Sequence, residues 1–395
     1  MNRFLRQASV LMLFVAFCST LNAQEDPVAK KKVEKKSARK QEKKEDQKPV
    51  KGYGFKIEKS IEHTSVKNQD KTGTCWCFAG SSFLESELIR MGKGQHNLSE
   101  MFTVKNVYKD KAMNYVLRSG KANFGQGALA HDFINTVGRH GIIPQEYFTG
   151  LDPGVKSHDH SEMEAVLKAV LEGIVKQKKL TPKWKQAFDK ILDVYIGESP
   201  SSFNYQGKNY TPQQLAKEFE FNAKDYVNLT SYTHHPFYED FVLEIPDNNS
   251  NGSFHNLPID ELVSVIDHAI ENGFSVAWDG DVSEVGFQSR KGMAILPENS
   301  RRPDLYDQPG KEKKVTQEMR QETFLSYSTT DDHLMHLVGI SRDKSGNKYY
   351  VIKNSWGEIG PHKGFLHMSE AYVRLKTVAI MVHKNGVPPK KEQSQ

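Results

Sequence analysis

Apolar side chains recur at helical spacing in several stretches of the chain. Residues 75–91 (CWCFAGSSFLESELIRM) place most of their large apolar side chains on one face, and glycines follow at once. The same spacing predicts helices over about residues 128–140 and 258–272. Residues 160–225 are rich in Lys, Glu, Gln and Leu at helical spacing. They predict a helical insertion between about residues 150 and 255.

Short apolar runs separated by glycine-marked turns dominate the last third of the chain. They predict strands over residues 274–278, 334–340, 348–353, 364–368 and 378–383. Helices therefore come first and strands last. This order indicates an α+β fold and not a wound parallel sheet.

The N-terminus has the pattern of a secretory signal. Arg3 and Arg6 precede an apolar run over residues 8–17, which is too short to span a bilayer, and Ala23 suits a signal peptidase. Residues 1–23 are therefore predicted to be a signal peptide. The protein is expected to be exported to a periplasm-like compartment or secreted.

Charge divides the remainder into three parts. Residues 24–50 are Lys-rich with almost no apolar content and are predicted to be a disordered linker. Residues 51–384 form the globular domain, and the polar residues 385–395 are predicted to be a flexible tail. The formal net charge is +5, but its excess lies in the leader and linker, so nothing indicates a nucleic-acid partner.

Cysteine usage points to chemistry and not to a disulfide framework. The chain has three cysteines, and Cys18 lies in the predicted leader. Cys75 and Cys77 point to different sides of the predicted helix, so a bond between them is not expected. An exported protein that keeps thiols indicates a reactive cysteine, with two buried apolar cysteines as the alternative. Cys77 is interpreted as a small core residue.

Cys75 begins a predicted helix, which is a position that favours thiolate. Gln69 precedes it across a short loop containing Gly73. The Gln69 side-chain amide and the Cys75 backbone N–H are candidates for an oxyanion hole. A thiol nucleophile also needs a base and a group that orients the base.

The base is sought among fifteen histidines. His333 opens a predicted strand, and Asn354 follows the next one, where its amide oxygen could accept the imidazole N–H while Trp356 covers that bond. His336 faces the other side of the strand, which opposes a metal pair with His333. No metal or cofactor is therefore predicted.

These motifs together resemble the papain-like cysteine peptidases. Gln69, the pair Cys75-Trp76, a strand histidine and the sequence NSWG at 354–357 occur in the order of that family. The resemblance implies a two-lobed fold with a helical lobe and a β-rich lobe. It also implies Cys75 as nucleophile and His333 as base, since a glycine six residues on fits His333 and not His336.

The resemblance further implies Asn354 as the orienting residue, Gln69 as the oxyanion amide, and Trp356 and Trp76 as supporting residues. The insertion and the sequence DGDV at 279–282 are similar to the bleomycin hydrolase and aminopeptidase C branch. That branch implies peptide substrates, aminopeptidase action on short peptides and a homo-oligomer, a hexamer in its known members.

Two features depart from this branch. The glycine pair that lines the substrate cleft in the family is replaced by Phe124-Gly125, which could alter access to the backbone. The tail does not match the arm that selects chain ends in the branch, so relaxed end selection is expected. Asp331 and Asp332, before the candidate base, are interpreted as a solvated loop.

Three alternatives remain open. An endopeptidase of the same fold would use the same residues. A catalytically silent homologue that binds peptides or envelope components would need none of them. A transferase would pass the acyl group to an amine instead of water.

Overall fold

The computed structural model describes residues 52–389 of the 395-residue chain. The predicted signal peptide and linker lie outside the described residues, as do residues 390–395 of the tail. Within the described range, no helix combines the length and apolar character needed to cross a membrane. The α-helices, named α1 to α9 in chain order, are Cys75–Arg90, Glu100–Leu117, Ala130–His140, Ser161–Val175, Lys183–Ile196, Pro212–Glu218, Ile259–Glu271, Gln317–Leu325 and Glu370–Lys376.

The strands alternate with these helices and concentrate in the second half of the described chain. Named β1 to β13, they are Lys56–Ser60, Phe203–Tyr205, Lys208–Tyr210, Tyr226–Thr230, Asp240–Val242, Ser253–Asn256, Val276–Gly280, Phe287–Gln288, Met293–Ala294, His333–Arg342, Lys348–Lys353, Phe365–Ser369 and Thr377–His383. β2 and β3 form a separate hairpin.

The other strands form one mixed sheet in the order β5-β6-β4-β13-β7-β10-β11-β12-β9-β8, with β1 added to β10. Most neighbours are antiparallel, whereas β4 with β6 and β12 with β9 are parallel. β10 pairs with β7, β11 and β1. Its first residue is His333, so the candidate base sits at the end of a strand that three neighbours hold in place.

Two apolar cores lie on the two faces of this sheet. One contains the side chains of α1, α2, α3 and the insertion helices together with Leu334 of β10. The other contains α7 and α9 with Met335 and Leu337 of the same strand. The alternation along β10 follows from the two-residue period of a strand. The α+β prediction is confirmed, since the sheet is mixed and mostly antiparallel and helices pack on both of its faces.

α1 is buried from Cys75 to Leu88. A helix enclosed on all sides has little amphipathic character, because every face meets protein. Its length agrees with the sequence prediction. Burial on all sides fixes the position of its first turn, where Cys75 lies.

The structure differs from the sequence prediction in several places, and β1, β8, β9, α8 and α9 were not predicted. α2 was not predicted, because buried polar residues interrupt its apolar pattern, Lys105 and Lys111 among them. The insertion is helical only in part, since β2 to β6 follow its two longer helices and three of these strands extend the main sheet. The tail begins with an ordered turn, in which Gly386 is buried and Val387 packs on the second core.

Candidate active site

Cys75 is the first residue of α1 and only 9% exposed. Burial raises the pKa of its thiol to about 12, and the charges of Asp331 and Asp279 act in the same direction. The backbone N–H groups of Leu334 and Trp76 oppose this and lower the pKa. Burial therefore outweighs the effect of the helix N-terminus, which favours the thiolate, and the thiol alone stays protonated at neutral pH. A proton acceptor next to the sulfur is required.

His333 lies at the start of β10, directly before Leu334, and is 4% exposed. Its Nε2–H donates to Oδ1 of Asn354 over 2.8 Å. The Trp356 ring stacks on the imidazole with centroids 4.6 Å apart. This bond leaves Nδ1 as the free acceptor of the neutral ring. Burial lowers the pKa of His333 to about 4, although the bond to Asn354 raises it.

His333 and Cys75 are thus each held neutral by burial. Moving the thiol proton to the imidazole would create a thiolate and an imidazolium together, and each would stabilise the other. The arrangement fits a nucleophile that ionises as part of a pair.

Gln69 joins the loop before α1 to the turn after β11. Its Oε1 accepts from Ser355 Oγ over 2.6 Å, and its Nε2 donates to the Thr72 carbonyl over 2.7 Å. The Ser355 N–H in turn donates to Asn354 Oδ1 over 2.7 Å. An amide nitrogen carries two hydrogens. One N–H of Gln69 is therefore left to bind an oxyanion beside the backbone N–H of Cys75.

Trp76 and the segment around Gly125 support this loop. The indole Nε1 of Trp76 donates to the Gln126 carbonyl over 2.8 Å, and the Gln126 side chain accepts from the Gly73 N–H over 2.7 Å. A Cβ at Gly73 would lie 2.9 Å from Cβ of Gln126, which explains the small residue there. Gly125 lies beside the carboxylate of Glu164, which also binds the Gln126 amide.

Phe124 does not obstruct the cleft. Its ring is 4% exposed and packs against Tyr108, Tyr115 and Phe188 in the first core. The residue that replaces the family glycine therefore directs its side chain inward. The altered access that the sequence suggested does not arise from this ring.

Two residues close in sequence to the candidates lie in other surroundings. His336 is fully buried and its Nδ1 is 2.8 Å from Ser82 Oγ. Cys77 is fully buried, and its thiol donates to the Glu100 carbonyl over 3.2 Å. Both cysteines are free thiols. The environment of Cys77 is that of a core residue.

Asp279 and Asp331 are the residues that the sequence analysis missed. Asp279 lies in β7, is 4% exposed, and neither of its oxygens has a hydrogen-bond donor within residues 52–389. The same holds for Oδ2 of Asp331. Asp331 lies in a loop and is half-buried with its Oδ2 enclosed, so it is less solvated than the sequence interpretation had it, whereas Asp332 is exposed. An aspartate directly after an apolar strand was the available signal.

One group of metal-ligand side chains occurs in the described chain. His234 and His235 place their Nε2 atoms 3.2 and 2.7 Å from the two oxygens of Glu244. Both contacts are those of ordinary imidazole–carboxylate hydrogen bonds at a surface. They offer no separate support for a metal centre.

Comparison with known proteins identifies the relatives of this chain. The Peptidase C1-like family matches residues 101–395. That stretch contains His333 and Asn354 and begins after Gln69 and Cys75.

Curated relatives extend the match to most of the chain. The chain is similar to aminopeptidase G of Lactobacillus delbrueckii subsp. lactis, with 24% identity over 81% of either chain. It is also similar to aminopeptidase C of Listeria innocua, with 23% identity over 82% of this chain and 81% of the relative. Human bleomycin hydrolase is 24% identical over 82% of this chain and 81% of its own.

A solved structure shows the same fold. The crystal structure of PepW from Lactobacillus rhamnosis superposes with a TM-score of 0.68 at 19% identity, covering 84% of this chain and 83% of that one.

Proposed function

Because the chain belongs to the Peptidase C1-like family, we propose that Cys75 is the residue that attacks the peptide carbonyl. The protein is a cysteine peptidase of papain-like fold. The observation that carries the proposal is the 2.8 Å hydrogen bond between His333 and Asn354. His333 directly precedes Leu334, whose backbone N–H acts on the Cys75 sulfur. This supports His333 as the proton acceptor for a thiol that burial otherwise keeps neutral.

The reaction begins with proton transfer from the Cys75 thiol to Nδ1 of His333. The thiolate forms a bond to the carbonyl carbon, and the carbonyl electron pair moves to oxygen. The N–H groups of Gln69 and Cys75 hold this oxyanion. As the oxyanion collapses the C–N bond breaks, and the His333 imidazolium gives its proton to the leaving amine.

Water completes the cycle. His333 takes a proton from the water, whose oxygen attacks the thioester carbon. The C–S bond then breaks and the thiolate regains its proton. Asn354 keeps the imidazole oriented in both halves of the reaction, with Trp356 stacked on the ring. No other group is required for the proton balance.

The mode of cleavage that we propose is aminopeptidase action on short peptides. The curated relatives named above are aminopeptidases G and C and bleomycin hydrolase. The endopeptidase, the silent homologue and the transferase remain alternatives. Product analysis with an unlabelled pentapeptide separates them, because only an aminopeptidase releases the first residue as a free amino acid.

Substitution of the two cysteines tests the proposal. Cys75→Ala should abolish peptide hydrolysis, whereas Cys77→Ala should keep most of it. An active Cys75→Ala variant together with an inactive, folded Cys77→Ala variant would mean that the nucleophile is misassigned. If neither the wild type nor Cys77→Ala hydrolyses peptides, the result would support the silent homologue.

We also propose that the protein is exported. The support is the leader pattern of Arg3, Arg6, the apolar run at 8–17 and Ala23. Sequencing of the native protein should find an N-terminus near Gln24. An intact Met1 on the native protein would contradict export through this leader.

A homo-oligomer, and a hexamer in particular, is proposed from the resemblance to the bleomycin hydrolase branch. Enclosure of the sites in such an assembly would favour short peptides. Light scattering on the purified protein measures the mass directly, against 44.9 kDa for one chain. A monomer at all concentrations would contradict the proposal.

A further inference from the structure

Asp279 lies on the face of the sheet that meets the helix carrying Cys75. It pairs with Leu334 across β7 and β10. Side chains of paired residues in an antiparallel ladder lie on the same face, with Cβ atoms about 5 Å apart. Leu334 belongs to the core that contains α1, and its backbone N–H acts on the Cys75 sulfur. Asp331 lies in the loop that leads into β10, two residues before His333.

A second aspartate in the same segment shows how the fold stabilises a structural carboxylate. Asp281 is 1% exposed and accepts from the N–H groups of Ser283 and Thr330 over 2.7 and 2.9 Å. The ammonium group of Lys376 lies 3.7 Å away. Asp279 has none of these partners within residues 52–389. A buried carboxyl that has no cation and no donor besides the neighbouring Asp331 is costly to ionise, so a cationic ligand would stabilise the charged form of Asp279.

The two carboxyls affect each other. Burial raises the pKa of Asp279 well above its usual range, and the neighbouring Asp331 raises it further. Burial raises the pKa of Asp331 to about 7. Each carboxyl also acts on the pKa of the other as a hydrogen-bonding partner, which favours the state in which one of the two holds a proton. Near neutral pH the pair therefore carries at most about one negative charge.

Acidic groups outnumber basic groups around the Asp279–Asp331 pair. The charged and titratable groups that act on the pair or are acted on by it are Asp247, Asp332, Lys111, Tyr232 and Cys75. Lys111 is the one cation of this set, and its ammonium group donates to the Gly127 carbonyl. Within residues 52–389 no lysine or arginine forms an ion pair with Asp279 or Asp331, and a cation from the substrate would fill that role.

We propose that Asp279 and Asp331 bind the free α-ammonium group of the substrate's first residue. The inference rests on the proposed aminopeptidase function and names the group that recognises the chain end. In a peptide, one carbon atom separates the α-nitrogen from the first carbonyl carbon, a distance of roughly 2.5 Å. When that carbonyl is in contact with Cys75, the ammonium group must lie within a few ångströms of the sulfur. The charges of Asp279 and Asp331 both act on the Cys75 thiol, and Asp279 pairs with Leu334, whose backbone N–H also acts on it.

Binding of the ammonium group has a second effect on the nucleophile. The negative charge of the pair raises the pKa of the Cys75 thiol. A bound cation offsets that charge, so it favours the thiolate at the moment when the substrate is in place. A substrate without a free amine would lack both the contact and this activation. End selection then requires no residue of the C-terminal tail.

The pair also sets a pH window for end selection. Below about pH 7 the Asp331 carboxyl is protonated, and burial keeps Asp279 protonated as well, so the pair is neutral. Above about pH 8 the peptide amine loses its proton. The preference for a free amine should therefore be largest between these two values.

The first test compares alanine methylcoumarylamide with its N-acetylated form. The enzymes are the wild type, Asp279→Asn/Asp331→Asn and, as a matched control from the same loop, Asp332→Asn. We expect the ratio of kcat/KM for the free over the acetylated substrate to fall at least about tenfold in the double variant. Asp332→Asn and a truncation after Pro389 should keep the ratio. Thermal unfolding should show no loss of stability in the double variant, because unpartnered carboxyls are removed.

The second test needs no turnover and so separates this inference from the proposed function. Alkylation of Cys75 by chloroacetamide is followed by mass spectrometry with alanine amide or N-acetylalanine amide as the competing ligand. In the wild type, alanine amide should change the rate of Cys75 alkylation more strongly than its acetylated form does. In the double variant the two ligands should have the same effect. This holds even for a protein that hydrolyses no peptide.

Three results would overturn the inference. One is an unchanged preference for the free amine in the folded double variant. Another is loss of the preference on truncation after Pro389, which would assign end selection to the tail. The third is a double variant that loses only its action on N-acetyl-lysyl-alanine methylcoumarylamide, since the pair would then recognise a basic side chain.

Discussion

Two polar clusters meet helix α1, and their buried charges are compensated in opposite ways. The cleft cluster consists of Cys75, His333, Asn354, Asp279 and Asp331. The rear cluster consists of Lys67, Glu85, Glu100 and Lys353. Both are largely buried, yet their hydrogen bonding differs.

The charges of the rear cluster are matched within the protein. The Lys67 ammonium group lies 3.0 Å from Glu85 and 2.5 Å from Glu100. Burial lowers the pKa of Lys67, but the two carboxylates more than offset this and raise it. Lys353 donates to the hydroxyls of Thr64 and Ser82. Such a cluster holds α1 in place.

The cleft cluster leaves buried polar atoms without partners. Within residues 52–389 these include both oxygens of Asp279, Oδ2 of Asp331 and Nδ2 of Asn354. The rear cluster, whose charges are matched, has the character of a structural cluster. The cleft cluster, whose polar groups lack partners, has the character of a site that binds a substrate. Substitutions in the two clusters should therefore separate stability from activity.

The largest expected effect is on activity, from the cleft cluster. His333→Ala removes the proton acceptor, and kcat/KM should fall at least about 10³-fold without loss of the fold. His336→Asn is the matched control, because an amide can replace the contact of the imidazole with Ser82. It should stay within about tenfold of the wild type. Near-normal hydrolysis by His333→Ala would remove His333 from the mechanism.

A stability effect is expected from the rear cluster. Glu85→Gln leaves Lys67 with one carboxylate fewer in a buried position and should cost about 3 kcal/mol, measured as a shift in the urea unfolding midpoint. Activity per folded molecule should be retained. Glu58→Gln, in an exposed pair with Arg342, should cost less than about 1 kcal/mol. Equal costs for the two variants would contradict the distinction between the clusters.

A smaller effect on activity is expected at the oxyanion position. Gln69→Ala should lower kcat about 10²- to 10³-fold, because one oxyanion donor is lost. Ser355→Ala removes only the hydroxyl that holds the Gln69 oxygen and should have a milder effect. If Ser355→Ala is the more damaging of the two, Gln69 acts through loop structure and not through the oxyanion.

The candidate site could be located from the sequence because its parts are short motifs. Gln69, Cys75, His333 and Asn354 stand in segments with strong local signals, and the structure links Gln69 to His333 through Ser355 and Asn354. The helices α1, α3 and α7 and the strands from β10 onward were also predictable from their periodicity and from the turns between them.

The remaining features, which are the acidic pair, α2 and the strands β4 to β6, depend on contacts between distant segments that no local sequence pattern encodes. Asp279 and Asp331 come together only because β7 and β10 pair. The sequence around either residue therefore gives no sign of its contact with the other. α2 escaped prediction because its Lys105 and Lys111 are buried by neighbours from distant segments, which hides the usual apolar stripe. β4 to β6 are short strands whose pairing with β13 and with one another extends the sheet.

Trapping the acyl-enzyme tests the central claim most directly. A pentapeptide with a free amine is mixed with the enzyme, the reaction is stopped with acid within its first turnover, and the digested protein is mapped by mass spectrometry. The account predicts an acyl group of one amino-acid residue on the sulfur of Cys75 and none on Cys77. A thioester on Cys77, or an acyl group longer than one residue on Cys75, would contradict the account in its nucleophile or in its aminopeptidase mode.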